Sequence, residues 1–331
     1  MTTGTAGPDL SMILVTPDRF DTLLQTIRHV RAQDVADRIE LVFVVPSAAA
    51  FALDPAAVGG FEGARVVEVG ELRSNAHGYA EGVRATRAPI VVFGEDHCFP
   101  SPGWAEALLA RHEDGYAAVG PVVAHANTPG AVAWSDTLLG YGPWLHPHPG
   151  GEVEYLPGHN SSYRRDVLLA YGDDLESWLE AESVLHWDLR AKGARLYLEP
   201  TARTNHFSFS SMRAWLAASF HTSRTFAARR VRDSRASPVR RILFTAASPI
   251  IPAIRMRRCL RDIRRAENPP PLARLLPALG TALTVSALGE AMGYALGPGR
   301  SPQLVSQFEF RRDRNVSERD RNAMAQARFL E

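Results

Sequence analysis

Short apolar runs recur through the first hundred residues, and each stops abruptly. Met12–Thr16 (MILVT) ends at Pro17-Asp18, Glu40–Val45 (ELVFVV) at Pro46-Ser47, and Ile90–Phe93 at Gly94-Glu95-Asp96-His97. Arg65–Val69 (RVVEV) is a further run. Runs this short, closed by turn residues, read as buried strands. Between them lie segments of helical period. Leu23, Leu24, Ile27 and Val30 share one face of Asp21–Arg31, and Leu72–Arg87 is the next helix. Strands alternating with helices of this length imply a parallel sheet with helices on both faces. Ligands in such sheets lie beyond the carboxyl ends of the strands. Asp18, Ser47, Asn75 and the Glu95-Asp96 pair fall on that side. Glu95-Asp96-His97 therefore offers hard ligands where a ligand is expected. Mg²⁺ and Mn²⁺ prefer carboxylate, and Mn²⁺ also accepts imidazole. A solvated loop after a strand is the plain alternative.

The pattern continues with a helix over Gly103–His112, a strand over Ala117–His125 and a long loop rich in Pro, Gly, Trp and His over Ala126–Gly151. Trp134, Trp144 and His146-Pro147-His148 give that loop the makings of a lid that stacks on a ligand, or of ordinary surface packing. Val153–Leu156 reads as a strand, Leu175–Lys192 as one helix, Arg195–Glu199 as a strand and Phe207–Arg230 as a long amphipathic helix.

Charge then changes sign. Residues 1–223 carry 16 Lys and Arg against 27 Asp and Glu, whereas residues 224–331 carry 21 against 9. Such a split suits a C-terminal part that faces a polyanion: an anionic membrane, a nucleic acid, or the acidic part of its own chain. Arg-flanked apolar runs, Ile242–Ile254 and Leu275–Leu296, favour a lipid surface over nucleic acid. A helical pair packed on the catalytic core, or in a homodimer, fits them equally. The polar start resembles no signal peptide, and two distant cysteines, Cys98 and Cys259, point to a reducing cytoplasm.

Several segments, in order, resemble the family 2 glycosyltransferases of GT-A fold, over residues 10–230. Met12–Arg19 is similar to the family's first strand and base-cupping turn, which implies donor contacts for Thr16, Asp18 and Arg19, with Ser47 beside them. Arg73–Ala80 resembles its helix start beneath the nucleotide, N-x-G-x-(A/S), led by Asn75. Glu95-Asp96-His97 takes the place of its acidic metal segment. The resemblance makes Asp96 the principal ligand, with Glu95 acting through water or on the ribose. Gly158–Arg165 (GHNSSYRR) is similar to its acceptor-side turn, so acceptor or sugar contacts are implied for His159, Asn160 and Arg164, with Trp144 nearby. Asn160 also suits a helix cap. Glu182 stands where an acidic pair is usual, although its first member is Ala181 here, and Asn205-His206 matches a later His near the metal. Ser286–Tyr294 resembles a GE-x-x-GY segment of some bacterial members that work at the inner membrane face. The second strand departs from the family, ending in Val45-Pro46-Ser47 without its Asp.

The expected architecture is an α/β GT-A domain over residues 11–230, Rossmann-like, with a mostly parallel sheet. A flexible N-terminus, 1–10, precedes it. An Arg-rich and apolar helical segment, 231–298, and a mobile polar tail, 299–331, follow. The implied activity is inverting transfer from a nucleotide-diphosphate sugar to an acceptor hydroxyl on a glycan, lipid-linked or small molecule. Mn²⁺ or Mg²⁺ held by Asp96, His97 and His206 would stabilise the leaving diphosphate, and Glu182 would serve as general base. A non-catalytic scaffold and a nucleotidyltransferase are the competing classes. The latter lacks its Gly-rich phosphate loop after the first strand.

Overall fold

A computed structural model describes residues 7–330, so residues 1–6 of the expected flexible N-terminus, and Glu331, lie outside the described residues. The strands are β1 (Leu10–Val15), β2 (Ile39–Val45), β3 (Gly63–Glu68), β4 (Ile90–Gly94), β5 (Cys98–Pro100), β6 (Ala118–His125), β7 (Gly151–Glu152), β8 (Ser162–Arg164) and β9 (Leu196–His206). They form one sheet in the order β3-β2-β1-β4-β8-β6-β9-β5, with β7 paired to β9. Through β3, β2, β1 and β4 the sheet is parallel. Beyond β4 it is mixed rather than mostly parallel, because β8 runs antiparallel to β4 and β6, and β5 antiparallel to β9.

Period-2 alternation sorts the strand side chains between two layers. Ile13, Val42, Val44, Val91 and Phe93 pack under Ala80 and Val83 of the helix Asn75–Ala85. Leu10, Met12, Leu14, Leu41 and Phe43 meet Phe20, Leu23, Ile27 and Val30 on the other side. Each such side chain contributes about 1.5–3 kcal/mol on burial, which fixes strand register and hence where each strand ends.

Three segments differ from the sequence reading. Ala126–Gly151 is not a long loop, because Ala131–Tyr141 is a helix. Leu175–Lys192 is two helices, Leu175–Leu179 and Glu182–Ala191, broken at Ala181 in an extended conformation. Gly151–Glu152 replaces Val153–Leu156 as the strand.

Residues 231–298 form the helices Pro238–Ala247, Ile251–Asp262 and Leu272–Leu296. The last is long and apolar enough to cross a membrane, yet Leu275, Leu279, Ala282 and Leu283 are buried against protein. A Cβ at Gly289 or Gly293 would overlap the carbonyls of Phe220 or Arg224, so these glycines let this helix lie backbone to backbone on Met212–Asp233. The acid inside the apolar run is accounted for as well. Glu290 pairs with Arg255 and accepts the Tyr294 hydroxyl at 3.0 Å.

The tail that the sequence reading leaves loose is packed. Ser301–Glu309 and Glu318–Ala325 are helices, Arg312 is 2% exposed, and Phe329 lies over Phe99 and His29.

Candidate active site

Glu95 follows β4 at its carboxyl end, beside Gly94, where a Cβ would overlap Met12 and Leu14. The antiparallel register of β5 on β9 pairs Cys98 with His206 and so brings His97 and His206 together, with ring centroids 5.1 Å apart. Asn160 adopts a left-handed φ of 49°, which Asn tolerates better than most residues. Its N–H donates to Phe93 O at 2.7 Å and its Nδ2 to Cys98 O at 3.1 Å. That clip lays His159 against His206, with stacked rings 4.8 Å apart. Strand pairing and one turn thus gather groups far apart in sequence.

The convergence point is Glu95. Its Oε2 lies 3.3 Å from His97 Nε2, 3.9 Å from His159 Nδ1 and 3.9 Å from His206 Nε2. Glu309, from the C-terminal part, stands 3.8 Å from His97 Nε2. Ligand atoms of Glu95, His159 and His206, and of Glu95, His97 and Glu309, lie within 4.8 Å of one another in each group. Glu95 Oε2, His97 Nε2 and His159 Nε2 are buried without a hydrogen-bond partner. Orphaned buried acceptors are rare and costly unless something completes them. Burial holds the imidazoles of His97, His159 and His206 below their ordinary pKa, His159 at about 3. They are therefore neutral, which is the ligating form. Carboxylate oxygen with neutral imidazole is a donor set that fits Mn²⁺.

Burial raises the Glu95 carboxyl well above the usual range, with Glu309 adding to it, and lifts Asp96 to about 8 against the pull of Arg312. A group of acids this dry favours either protons or a cation.

Asp96 is not at the centre, contrary to the sequence reading. Its Oδ1 meets His97 Nδ1 at 2.7 Å, so Asp96 orients the imidazole and Glu95 takes the central place. His97, His206 and His159 lie together around Glu95. Tyr141, delivered by the end of the helix Ala131–Tyr141, bonds His206 Nε2 at 3.1 Å.

Glu182 begins its helix because of the break at Ala181, and Gly158 makes room for it. A Cβ on Gly158 would stand 3.0 Å from Glu182 Oε1. Burial raises the Glu182 pKa. Glu182 lines a cavity of about 310 Å³ together with Asn75, Glu95, His159, Ser306 and Glu309. A second cavity, of about 420 Å³, shares Tyr141, Trp144, Glu182 and Glu309 with it and reaches Arg312.

Among the other expected donor contacts, Thr16 accepts Asp18 N–H at 3.1 Å, and Asp18 stands 3.6 Å from Arg311. Asn75 N–H donates to Ser306 at 3.0 Å while its Oδ1 is unpartnered. Ser47 caps the short helix Ala48–Phe51, and Arg19 is exposed. Arg164 is not brought to the site. β8 runs antiparallel to β4, so Arg164 pairs with Ile90 at the far end of the strand from Glu95, and its guanidinium binds Asp166. Trp144 lines the cavities and donates to Tyr155 O at 2.9 Å. Trp134 is no lid: it is buried against His125 and the C-terminal helices.

Sequence reasoning missed Glu309, Arg312, Tyr141 and Asp136. Burial lifts Asp136 to about 7, and its carboxylate accepts Phe209 N–H at 2.8 Å. The charged Arg311-Arg312-Asp313-Arg314 run was visible as a signal, but nothing local marks it as buried.

Residues 11–172 match the family described as glycosyl transferase family 2. No curated protein sequence matches the chain. Solved structures that resemble it include a mannosyltransferase, PcManGT, from Pyrobaculum calidifontis in complex with GDP-Man and Mn²⁺. It is 18% identical over 92% of this chain and 88% of its own, with a TM-score of 0.48. Another is GalNAc-T7 with UDP, GalNAc and Mn²⁺, 14% identical over 61% of this chain, with a TM-score of 0.43; the match spans 44% of that protein's chain. At these scores neither structure carries an argument about this one. The matched residues hold β1 through β8, with Glu95, His97 and His159 among them. Residues 11–172, just under half of the chain, are thus similar to glycosyl transferase family 2, and the cluster around Glu95 lies partly within that match.

Proposed function

We propose that the protein transfers a glycosyl group from a nucleotide-diphosphate sugar to an acceptor hydroxyl, by a single displacement that inverts the anomeric carbon. The observation that carries this reading is the convergence of Glu95, His97, His159, His206 and Glu309 beyond the carboxyl end of β4, with unpartnered buried atoms. These residues would hold a divalent cation, Mn²⁺ being the best match to the donor set. When bound, that cation supplies positive charge at the leaving diphosphate. Asn75, with its free Oδ1, and the turn Thr16–Asp18 border the same side of the sheet and would meet the nucleotide.

Glu182 is the general base. Burial makes its carboxylate more basic, and it shares the cavity with Glu95. The acceptor oxygen attacks the anomeric carbon as its proton passes to Glu182, and the bond to the diphosphate breaks with the electron pair leaving on the diphosphate oxygen. Trp144 and Tyr141, at the join of the two cavities, would border the acceptor.

Calorimetry with UDP, GDP, dTDP, CDP and ADP, with and without Mn²⁺, tests this. One nucleotide is expected to bind only with the ion, at least tenfold more weakly in Glu95→Gln. Folded wild-type protein that binds none of them overturns the reading.

We further propose a peripheral position on an anionic membrane surface. Val239, Ile242, Leu243, Ile250 and Ile254 are each at least 59% exposed on Pro238–Ile254, with exposed Arg240, Arg257 and Arg261 around them. Apolar side chains ringed by arginine suit a headgroup boundary.

A further inference from the structure

The C-terminal part of the chain lies outside the matched domain, yet it enters the site. The helix Ser301–Glu309 bonds the first N–H of the helix Asn75–Ala85 through Ser306. Glu309 then reaches the Glu95–His97 cluster, and Arg312 follows one turn later. Arg312 is 2% exposed and lies flat on Phe209, with its guanidinium carbon 3.6 Å from the ring centroid. Its Nη2 pairs with Glu309, and its Nη1 stands 4.0 Å from Asp136 Oδ2, beyond hydrogen-bond reach. Nε and Nη1 have no partner, although both are buried.

A buried guanidinium keeps its charge, so each unpartnered donor carries an uncompensated desolvation cost. Such a group is retained where an anion completes it. Its surroundings hold more carboxylates than one cation can serve: Glu95, Asp96, Asp136 and Glu309. Exposed arginines elsewhere in the tail, such as Arg300 and Arg319, have water as an alternative, and Arg312 does not. A planar fork of N–H groups matches phosphate oxygens in pairs.

We propose that Arg312 is the protein's own cation for the donor diphosphate, and that Glu309 occupies it when no diphosphate is bound. This rests on the nucleotide-sugar reading above. On binding, the phosphate oxygens take a fork that includes Nη2, with Nε on one edge or Nη1 on the other, and the Glu309 carboxylate is released toward His97 and Glu95. Residues 301–316 are then part of the donor site and not a cover over a finished one. Arg312 acts on binding of the leaving group, and no covalent step is assigned to it.

The experiment titrates UDP, GDP, dTDP, CDP, ADP and inorganic pyrophosphate into the whole chain by calorimetry with Mn²⁺ present, then pyrophosphate without Mn²⁺, and separately Mn²⁺ alone. The proteins are wild type, Arg312→Gln, Arg312→Lys and Glu309→Gln. Arg312→Gln is expected to weaken the bound nucleotide and pyrophosphate at least tenfold, while Mn²⁺ alone binds as well or better, because a positive charge has been removed. Arg312→Lys recovers part of the loss, since an ammonium keeps the charge without the fork. Glu309→Gln should bind pyrophosphate several-fold more tightly in the absence of Mn²⁺. It serves as the decisive variant if Arg312→Gln does not fold. Unchanged diphosphate affinity in a folded Arg312→Gln, or no gain in Glu309→Gln, overturns the proposal and leaves the transferase reading standing. A wild type that binds no diphosphate overturns both.

Discussion

Glu40 is 1% exposed in the middle of the sheet, where an uncompensated carboxylate would be excluded. It is held by the Ser11 hydroxyl at 2.7 Å, by Arg87 N–H at 3.0 Å and by Arg87 Nε at 2.8 Å. Burial pushes its pKa up, but the bonds from Ser11 and Arg87 outweigh that, and the net shift is downward. A depressed folded pKa gives stability that is present above the unfolded value and lost as pH falls through the folded one. Glu40→Gln should therefore cost about 2 kcal/mol at neutral pH, a charged hydrogen-bond contribution. Denaturant melts of both proteins should converge as pH drops below about 4.5. A gap that does not narrow as the pH falls from about 4.5 would mean that packing, not charge, makes Glu40 matter. At the same scale, the Glu95-Asp96-His97 triplet was legible as a cluster of ligating groups, because a strand ending in acids is a local signal. Which acid leads was not legible. Residues 95–97 form a turn between β4 and β5, and the outcome depends on the contact of His97 Nδ1 with Asp96.

Among elements, the helix pair Met212–Asp233 and Leu272–Leu296 shows how a motif can be read as a membrane signal and serve as a packing seam. Gly289 and Gly293 sit where any Cβ would press on a carbonyl of the facing helix. Gly293→Ala is expected to cost about 1–3 kcal/mol through overpacking and to lower the melting temperature without altering Mn²⁺ affinity. An unchanged melting temperature would show that the helices slide apart freely. The strands of residues 10–206 were mostly legible because each needs only its own apolar run. The broken helix at Ala181 was not, since Leu179, Val184, Leu185 and Leu189 are apolar in either arrangement. The helix Ala131–Tyr141 was hidden by flanking Pro and Gly.

For the whole molecule, the charge split has two destinations. Arg312 is buried beside Asp136, while Arg311 stands at the surface against Asp18, both acids of the N-terminal half. Arg240, Arg257 and Arg261 face solvent beside Ile242, Leu243 and Ile254. The second group predicts sedimentation with vesicles containing anionic phosphatidylglycerol, weakened by salt and lost in Ile242→Asp/Leu243→Asp. Each surface arginine adds about 1 kcal/mol of attraction. Protein that stays in the supernatant, or a double variant that still pellets, would remove the membrane from the account. Dimers in its place would give that face to a second copy. Composition made the split visible, but its division was not, because inward and outward arginines are alike until a fold places them.

The chain's order of synthesis gives the position of Glu309 and Arg312 a further meaning. The strands that carry Glu95, His159 and His206 leave the ribosome long before the residues that complete the site. A chain ended before Ser301 lacks both Glu309 and Arg312, whatever becomes of its sheet. On the proposed reading, competence to hold the donor would arrive only once residues 301–316 are made and packed, and a copy ended before them would not consume activated sugar.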